Sequence, residues 1–140
     1  MYSRIKPSHI EPTRRVLIVE NDRIQREIVA KILNRYLNCD VDQADDAGQA
    51  ISYLKSNRYG LMVSGLIFPG MSGVDLIEKV NTMFPEMKIL VITGGAHESE
   101  IEAVRAIGVR HVIYKPFKIA TLLSEISAAI CEEEIVNEVI

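Results

Sequence analysis

The sequence predicts an α/β fold in which one parallel five-stranded sheet carries helices on both faces. Short apolar runs rich in valine and isoleucine recur along the chain, as in strands that are buried on both faces. Segments with apolar residues at helical spacing separate these runs, and glycine or proline marks several of the boundaries. Because strands that alternate with helices pair in parallel through right-handed crossovers, this pattern describes five successive strand–helix units.

The first two units are marked by contrasting strands. Residues 16–19 (VLIV) form a β-branched run, and a helix with apolar residues at 24, 28, 32 and 33 follows Asp22, a favourable N-cap. The second strand, residues 40–44, is polar at alternate positions, as expected of an edge strand. The helix after it is predicted by the apolar stripe Ala47, Ala50, Ile51 and Leu54.

The third unit begins with residues 61–63, a short buried strand that runs into Ser64 and Gly65. The loop that follows contains two turn signals, a Pro-Gly pair at 69–70 and a Ser-Gly pair at 72–73. Beyond this loop a third helix is predicted by three apolar residues, Leu76, Ile77 and Val80.

The last two units are equally regular. Residues 89–92 form the fourth predicted strand, and a short helix over 99–107 stops at Gly108, a favourable C-terminal cap. Residues 111–114 form the fifth strand. The inner stripe of the last helix consists of Leu122, Leu123, Ile126, Ala129 and Ile130.

At 140 residues the chain has room for one domain, which we place at residues 14–131. Residues 1–13 carry two prolines and no sustained periodicity, so we interpret them as an N-terminal arm. Residues 132–140 extend the last helix with a charged face. Four apolar residues there indicate a partner helix or a dimer contact, namely Ile135, Val136, Val139 and Ile140.

Composition and charge exclude several classes of function. The net charge of −3 and the pI of about 5.6 argue against sequence-independent binding of nucleic acid. Two cysteines, Cys39 and Cys131, are too few for a disulfide framework or a zinc site, and His97 and His111 lack a nearby second ligand. Without an apolar signal core or a run of about 18 apolar residues, we expect a cytoplasmic protein that does not contact a membrane.

The informative residues of such a sheet lie at the carboxyl ends of its strands, where ligands bind. Residues 20–22 (END) follow the first strand, residues 69–73 (PGMSG) lie after the third, Thr93 ends the fourth, and residues 115–117 (KPF) follow the fifth. This layout, taken in order over about residues 14–131, resembles the receiver domain of response regulators in two-component signalling.

The resemblance implies a flavodoxin-like (βα)5 three-layer sandwich with strand order 2-1-3-4-5. It also implies a chemistry, in which an aspartate at the third strand accepts a phosphoryl group and becomes an acyl phosphate. Two further carboxylates hold Mg²⁺, and a threonine hydroxyl and a lysine ammonium contact the phosphoryl oxygens. Movement of that threonine, followed by an aromatic side chain on the fifth strand, carries the signal to the face formed by the last strand and helix.

Carried over residue by residue, the resemblance predicts a damaged site. Thr93 and Lys115 stand at the hydroxyl and ammonium positions. Glu20 and Asn21 occupy the acidic pair, so one carboxylate is longer and the other is a neutral amide. Gly65, four residues before the proline of the loop, takes the place of the acceptor aspartate. We therefore expect no conventional phosphorylation, no catalytic residue, no cofactor and weak or absent Mg²⁺ binding.

The relay and the acceptor have no obvious substitutes. Val112 stands at the position of the switch aromatic, three residues before the lysine. Ser64 is the nearest hydroxyl to the lost acceptor and is the alternative phosphorylation site. Adjacent side chains on a strand point to opposite faces, however, so Ser64 should not project as the aspartate would.

Lys115 needs a partner in this damaged site, because an unpaired buried charge is costly. We predict a Glu20–Lys115 ion pair that imitates a permanently occupied site. The competing interpretation is an anion site made by Lys115, Thr93 and Asn21. The resemblance also indicates a cis peptide bond between Lys115 and Pro116, which proline makes accessible.

The sequence as a whole favours a pseudo-receiver that is not an enzyme and regulates through protein contacts. Its partner would be a kinase, an output domain, another regulator or a second copy, bound on the fourth helix, fifth strand and fifth helix (residues 99–130). The first alternative is a true receiver that is phosphorylated at Ser64. The second is a carrier of cobalamin or flavin, which would need a histidine motif or a phosphate-binding loop that residues 20–22 do not provide.

Overall fold

The computed structural model describes the backbone of residues 14–139 and the side chains of residues 14–131. The arm predicted at 1–13 lies outside the described residues. The side chains of the predicted extension, 132–140, lie outside them as well, so the partner contact expected there stays a prediction.

Within this range five strands and five helices alternate. The strands are β1 (Arg15–Val19), β2 (Asp40–Ala44), β3 (Leu61–Ser64), β4 (Ile89–Thr93) and β5 (His111–Tyr114). The helices are α1 (Arg23–Leu37), α2 (Ala47–Ser56), α3 (Gly73–Met83), α4 (Glu98–Ile107) and α5 (Ile119–Val139). Within the described range, no helix is long and apolar enough to span a membrane.

Every predicted strand and helix is present, and the structure differs from the prediction only in the residues at which some elements begin or end. Helix α4 begins at Glu98 rather than at 99, because the preceding residue, His97, is its N-cap. The backbone N–H of His97 donates to Glu100 Oε1 at 2.8 Å, the contact by which a glutamate three residues into a helix closes its first turn.

The sheet is fully parallel and has the strand order β2-β1-β3-β4-β5. This order confirms the flavodoxin-like arrangement expected from the resemblance. The chain moves outward from β1 to β2 and then returns to the other side of β1 to form β3. Ligand sites of open parallel sheets lie at such a reversal, outside the carboxyl ends of the strands.

Alternating strand residues supply two separate cores, one on each face of the sheet. Val16 and Ile18 pack in the core beneath α1 and α5. Leu17 and Val19 pack in the core beneath α2, α3 and α4. Since successive side chains of a strand point to opposite faces, a continuous apolar run such as VLIV fills both cores and produces the predicted three-layer sandwich.

The loop from β3 to α3 is held against the sheet by a close backbone contact at Gly73. A Cβ at this position would lie 2.3 Å from Leu66 Cα, so no larger residue fits without displacing backbone. The Gly73 N–H also donates to the Leu66 carbonyl at 3.0 Å. Ser72 caps α3 by accepting from the Asp75 N–H at 3.1 Å. These contacts fix the strand end that carries Gly65.

Candidate functional site

Backbone hydrogen bonds extend past the ends of the strands and bring the predicted site residues to one edge. The Gly65 N–H donates to the Val19 carbonyl at 3.0 Å, and the Glu20 N–H bonds to the last residue of β2 at 3.1 Å. On the other side, the Lys115 N–H donates to the Thr93 carbonyl at 2.8 Å. The carboxyl ends of all five strands therefore meet around Gly65.

Glu20 and Lys115 form the ion pair that the sequence predicts. Lys115 Nζ lies 3.4 Å from Glu20 Oε1, and the two side chains are 29% and 18% exposed for the lysine and the glutamate. Lys115 Nζ also donates to the side-chain oxygen of Gln25, in the first turn of α1. The second carboxylate oxygen of Glu20 accepts from the Asp22 N–H at 2.9 Å. Both oxygens of Glu20 are thus engaged.

Gly65 leaves room for this arrangement. A Cβ at position 65 would lie 3.2 Å from Glu20 Oε1 and 3.9 Å from the Ile92 carbonyl oxygen. The carboxylate of Glu20 therefore occupies the space toward which a side chain of residue 65 would project. A 3.2 Å contact is tight, but the neighbouring atom belongs to the end of a flexible side chain, which can shift by a few tenths of an ångström.

Asn21 and Asp22 have roles other than binding a ligand. The Asn21 amide is exposed, and its Nδ2 donates to the Asp45 carbonyl at 3.5 Å. Asp22 is the N-cap of α1, as the sequence predicts, and accepts from the Gln25 N–H at 3.0 Å. The capping contact fixes the first turn of α1 and thereby sets the position of Gln25 relative to Lys115.

The donor set does not fit the Mg²⁺ ion that receiver chemistry uses. Mg²⁺ requires oxygen ligands in near-octahedral geometry, commonly one or two carboxylates. Here Glu20 is bound to an ammonium, Asn21 offers a neutral amide directed at the backbone, and Gly65 has no side chain. Among residues 14–131, no three histidine, cysteine, aspartate or glutamate side chains come together as ligands of a metal ion.

The three residues of the competing anion site, Lys115, Thr93 and Asn21, do not converge on one point. Thr93 is buried at the end of β4, while Lys115 is directed to Glu20 and Gln25. The Asn21 amide bonds to a different strand end. Gly94 provides the surface on which the lysine stem lies, since a Cβ there would be 3.2 Å from Lys115 Cβ. The predicted cis peptide bond between Lys115 and Pro116 is present.

Ser64, the alternative acceptor, is inaccessible. Its side chain is fully buried, and its Oγ donates to the adjacent Gly65 carbonyl at 2.8 Å. On β3 it follows Met62 by two residues, so it shares the face of the α2–α4 core rather than projecting as residue 65 would.

On the fifth strand the aromatic residue lies two positions after the switch position. Val112, at the switch position, is half-buried and packs against the α2–α4 core. Tyr114 lies two residues further on the same face, directly opposite Thr93 in the sheet register, and is 53% exposed. No motif in the sequence singles out Tyr114, although the two-residue period of a strand places it on this face. Gln25 was not predicted either, because its contact with Lys115 depends on the rotation of α1.

The histidine and the two cysteines considered in the sequence lie away from the Glu20–Lys115 pair. His111 Nδ1 lies 3.0 Å from Glu125 Oε1, which joins the start of β5 to α5. Cys39 is buried, and burial raises the pKa of its thiol, while Cys131 is exposed. Neither cysteine is in a disulfide.

Comparisons with known proteins agree on one family. The model of the response regulator receiver domain family matches residues 16–127. Chemotaxis protein CheY-3 of Vibrio cholerae is 31% identical over 110 residues, which are 77% of this chain and 85% of that protein. Transcription factor SKN7 of Chaetomium thermophilum is 31% identical over 130 residues, which are 82% of this chain but 17% of the factor.

A solved structure agrees with both the fold and the family. The crystal structure of a response regulator receiver domain protein from Methanospirillum hungatei superposes with a TM-score of 0.81 and 27% identity. The superposition covers 86% of this chain and 95% of that one. Since the family model spans β1 to the middle of α5, this chain belongs to the response regulator receiver domain family of two-component signalling.

Proposed function

We propose that this receiver domain signals through protein contacts without being phosphorylated on an aspartate. One observation carries the proposal: residue 65 is glycine, and the Glu20 carboxylate lies in the space of its absent side chain while bound to Lys115. An acyl phosphate requires a carboxylate nucleophile at that place. Glu20 instead provides a single negative charge as the counter-ion of Lys115.

The other groups of the site support this proposal. The nearest hydroxyl, on Ser64, is fully buried and bonded to the backbone. Glu20 is itself a carboxylate, but an ammonium and a backbone N–H engage its two oxygens. We propose that the domain binds Mg²⁺ weakly or not at all, uses no cofactor and has no enzymatic turnover of its own.

The proposed partner surface comprises α4, β5 and α5. It presents Tyr114 and Ile119, which are 53% and 47% exposed, and large exposed apolar side chains are common anchors of protein interfaces. The partner would be a signalling kinase, an output domain, another regulator or a second copy of this chain, in the cytoplasm. The chain spans only 17% of the SKN7 relative, and an output domain on the same polypeptide is one form of this partner.

The direct test is the intact mass of the protein after incubation with Mg²⁺ and acetyl phosphate. We expect the natural chain to keep its mass, because it lacks an accessible nucleophile beside Lys115. The variant Gly65→Asp supplies that nucleophile, and an adduct on this variant alone would identify the missing carboxylate as the cause. A phosphoryl adduct on the natural chain would overturn the proposal, and Ser64→Ala and Glu20→Gln would then locate the acceptor.

A further inference from the structure

A mostly apolar cavity of about 160 Å³ lies between the sheet and α1, with Glu20 and Lys115 in its wall, and it opens to solvent beside the exposed Ile28. Its walls come from three neighbouring strands, from α1 and from the segment after β5. The apolar residues in these walls include Ile18, Ile28, Val29, Val63, Ile92 and Phe117. Ile18, Val63 and Ile92 belong to the core beneath α1 and α5, so the cavity is continuous with that core.

The polar groups around this cavity are bonded to one another. The Lys115 ammonium donates to Glu20 and Gln25, and Arg26 Nη1 donates to the Glu20 carbonyl at 2.8 Å. The walls away from these groups are apolar and offer no hydrogen bonds, so the cavity favours an apolar occupant over a strongly polar molecule.

The cavity is related to the glycine at position 65. Gly65 lines it, and a Cβ there would lie 3.2 Å from Glu20 Oε1 and 3.9 Å from the carbonyl oxygen of Ile92, two other lining residues. Gly65 and the Glu20 carboxylate therefore lie together at the polar edge of the cavity.

We propose that this cavity is a binding site for a small, neutral, apolar molecule about as large as a benzene ring. An apolar protein cavity of roughly 150 Å³ is large enough to bind benzene. Removal of such a ligand from water supplies the driving force, in proportion to the apolar area that is buried. This site stands on the geometry of the cavity and is independent of the proposed signalling function.

The test is an NMR titration of the folded protein with benzene. The isoleucine and valine methyl groups are labelled with ¹³C, and their chemical shifts are measured. We expect saturable shifts that are largest at the methyl groups of Ile18, Val29, Val63 and Ile92. Glycerol, which has a similar number of heavy atoms but is polar, should leave these methyl groups unchanged. The absence of saturable shifts with benzene, or shifts centred on the opposite core, would overturn the proposal.

A matched pair of variants assigns the site. Val63→Ile adds one methylene to the cavity wall, and we expect it to weaken benzene binding at least tenfold. Val74→Ile makes the same change on α3, away from the cavity, and should bind benzene like the natural chain. Val29→Ile is a second filling variant, since Val29 is buried and lines the cavity from α1. Undiminished binding by both filling variants would overturn the proposal.

Discussion

At the scale of single residues, the main feature is an ion pair that crosses the sheet. Glu20 follows β1 and Lys115 follows β5, and β3 and β4 lie between these strands. With strands about 4.8 Å apart, the two backbones are separated by about 14 Å. The side chains nevertheless meet at 3.4 Å, over the end of β3 at Gly65. The ion pair can therefore form directly because residue 65 has no side chain between Glu20 and Lys115.

The strength of this pair can be measured with a double-mutant cycle of Glu20→Gln and Lys115→Met. Both side chains are less than one-third exposed, so we expect a coupling of roughly 0.5–1 kcal/mol in the free energy of unfolding by urea. Arg23 and Glu27 provide the control, since this pair on α1 is more exposed and should couple more weakly. Equal coupling in the two cycles would show that the buried pair contributes nothing particular to the site.

At the scale of secondary-structure elements, two contacts position the site. The N-cap of α1 sets Gln25 against Lys115, so α1 is connected to the segment after β5. The loop between β3 and α3 is held by Gly73, whose α-carbon packs on the backbone of Leu66. The two contacts fix the geometry around Gly65 through packing and backbone hydrogen bonds.

Gly73→Ala should therefore destabilise the protein substantially. The new Cβ would lie 2.3 Å from Leu66 Cα, and relieving that overlap requires movement of the backbone, which typically costs about 1–3 kcal/mol. Gly48→Ala is the control, because Gly48 lies in α2 and its Cβ would meet its nearest neighbour at 3.5 Å. That variant should be neutral or stabilise by about 0.5–1 kcal/mol. Urea denaturation of both variants checks the prediction, and similar stabilities would contradict it.

At the scale of the whole molecule, local sequence patterns were sufficient to predict the strands and helices, whereas the strand order was expected from the resemblance to receiver domains. Each buried strand is a continuous apolar run, and each helix repeats its apolar residues at helical spacing. The pairing of Glu20 with Lys115 could also be inferred, since a charge beside a lost partner needs another. The contact of Gln25 and the cavity beneath it depend on how α1 packs against the sheet, and no local pattern encodes that packing.

A domain of this kind should hold one conformation whether or not a phosphoryl donor is present. A ligand shifts an equilibrium only by its differential affinity for two states. Under the proposed function, acetyl phosphate and Mg²⁺ would find no carboxylate at position 65 to modify or to ligate. The crossing ion pair, connected through Gln25 to α1, would then hold the site in one state.

The most direct measurement is the ¹H–¹⁵N correlation spectrum of the protein before and after addition of Mg²⁺ and acetyl phosphate. We predict superimposable spectra, including the amide signals of Glu20, Gly65 and Lys115. Specific shifts at these amides that spread to β5 and α4 would show a phosphorylation-dependent change of state, and would contradict the central claim that this receiver domain acts independently of phosphorylation.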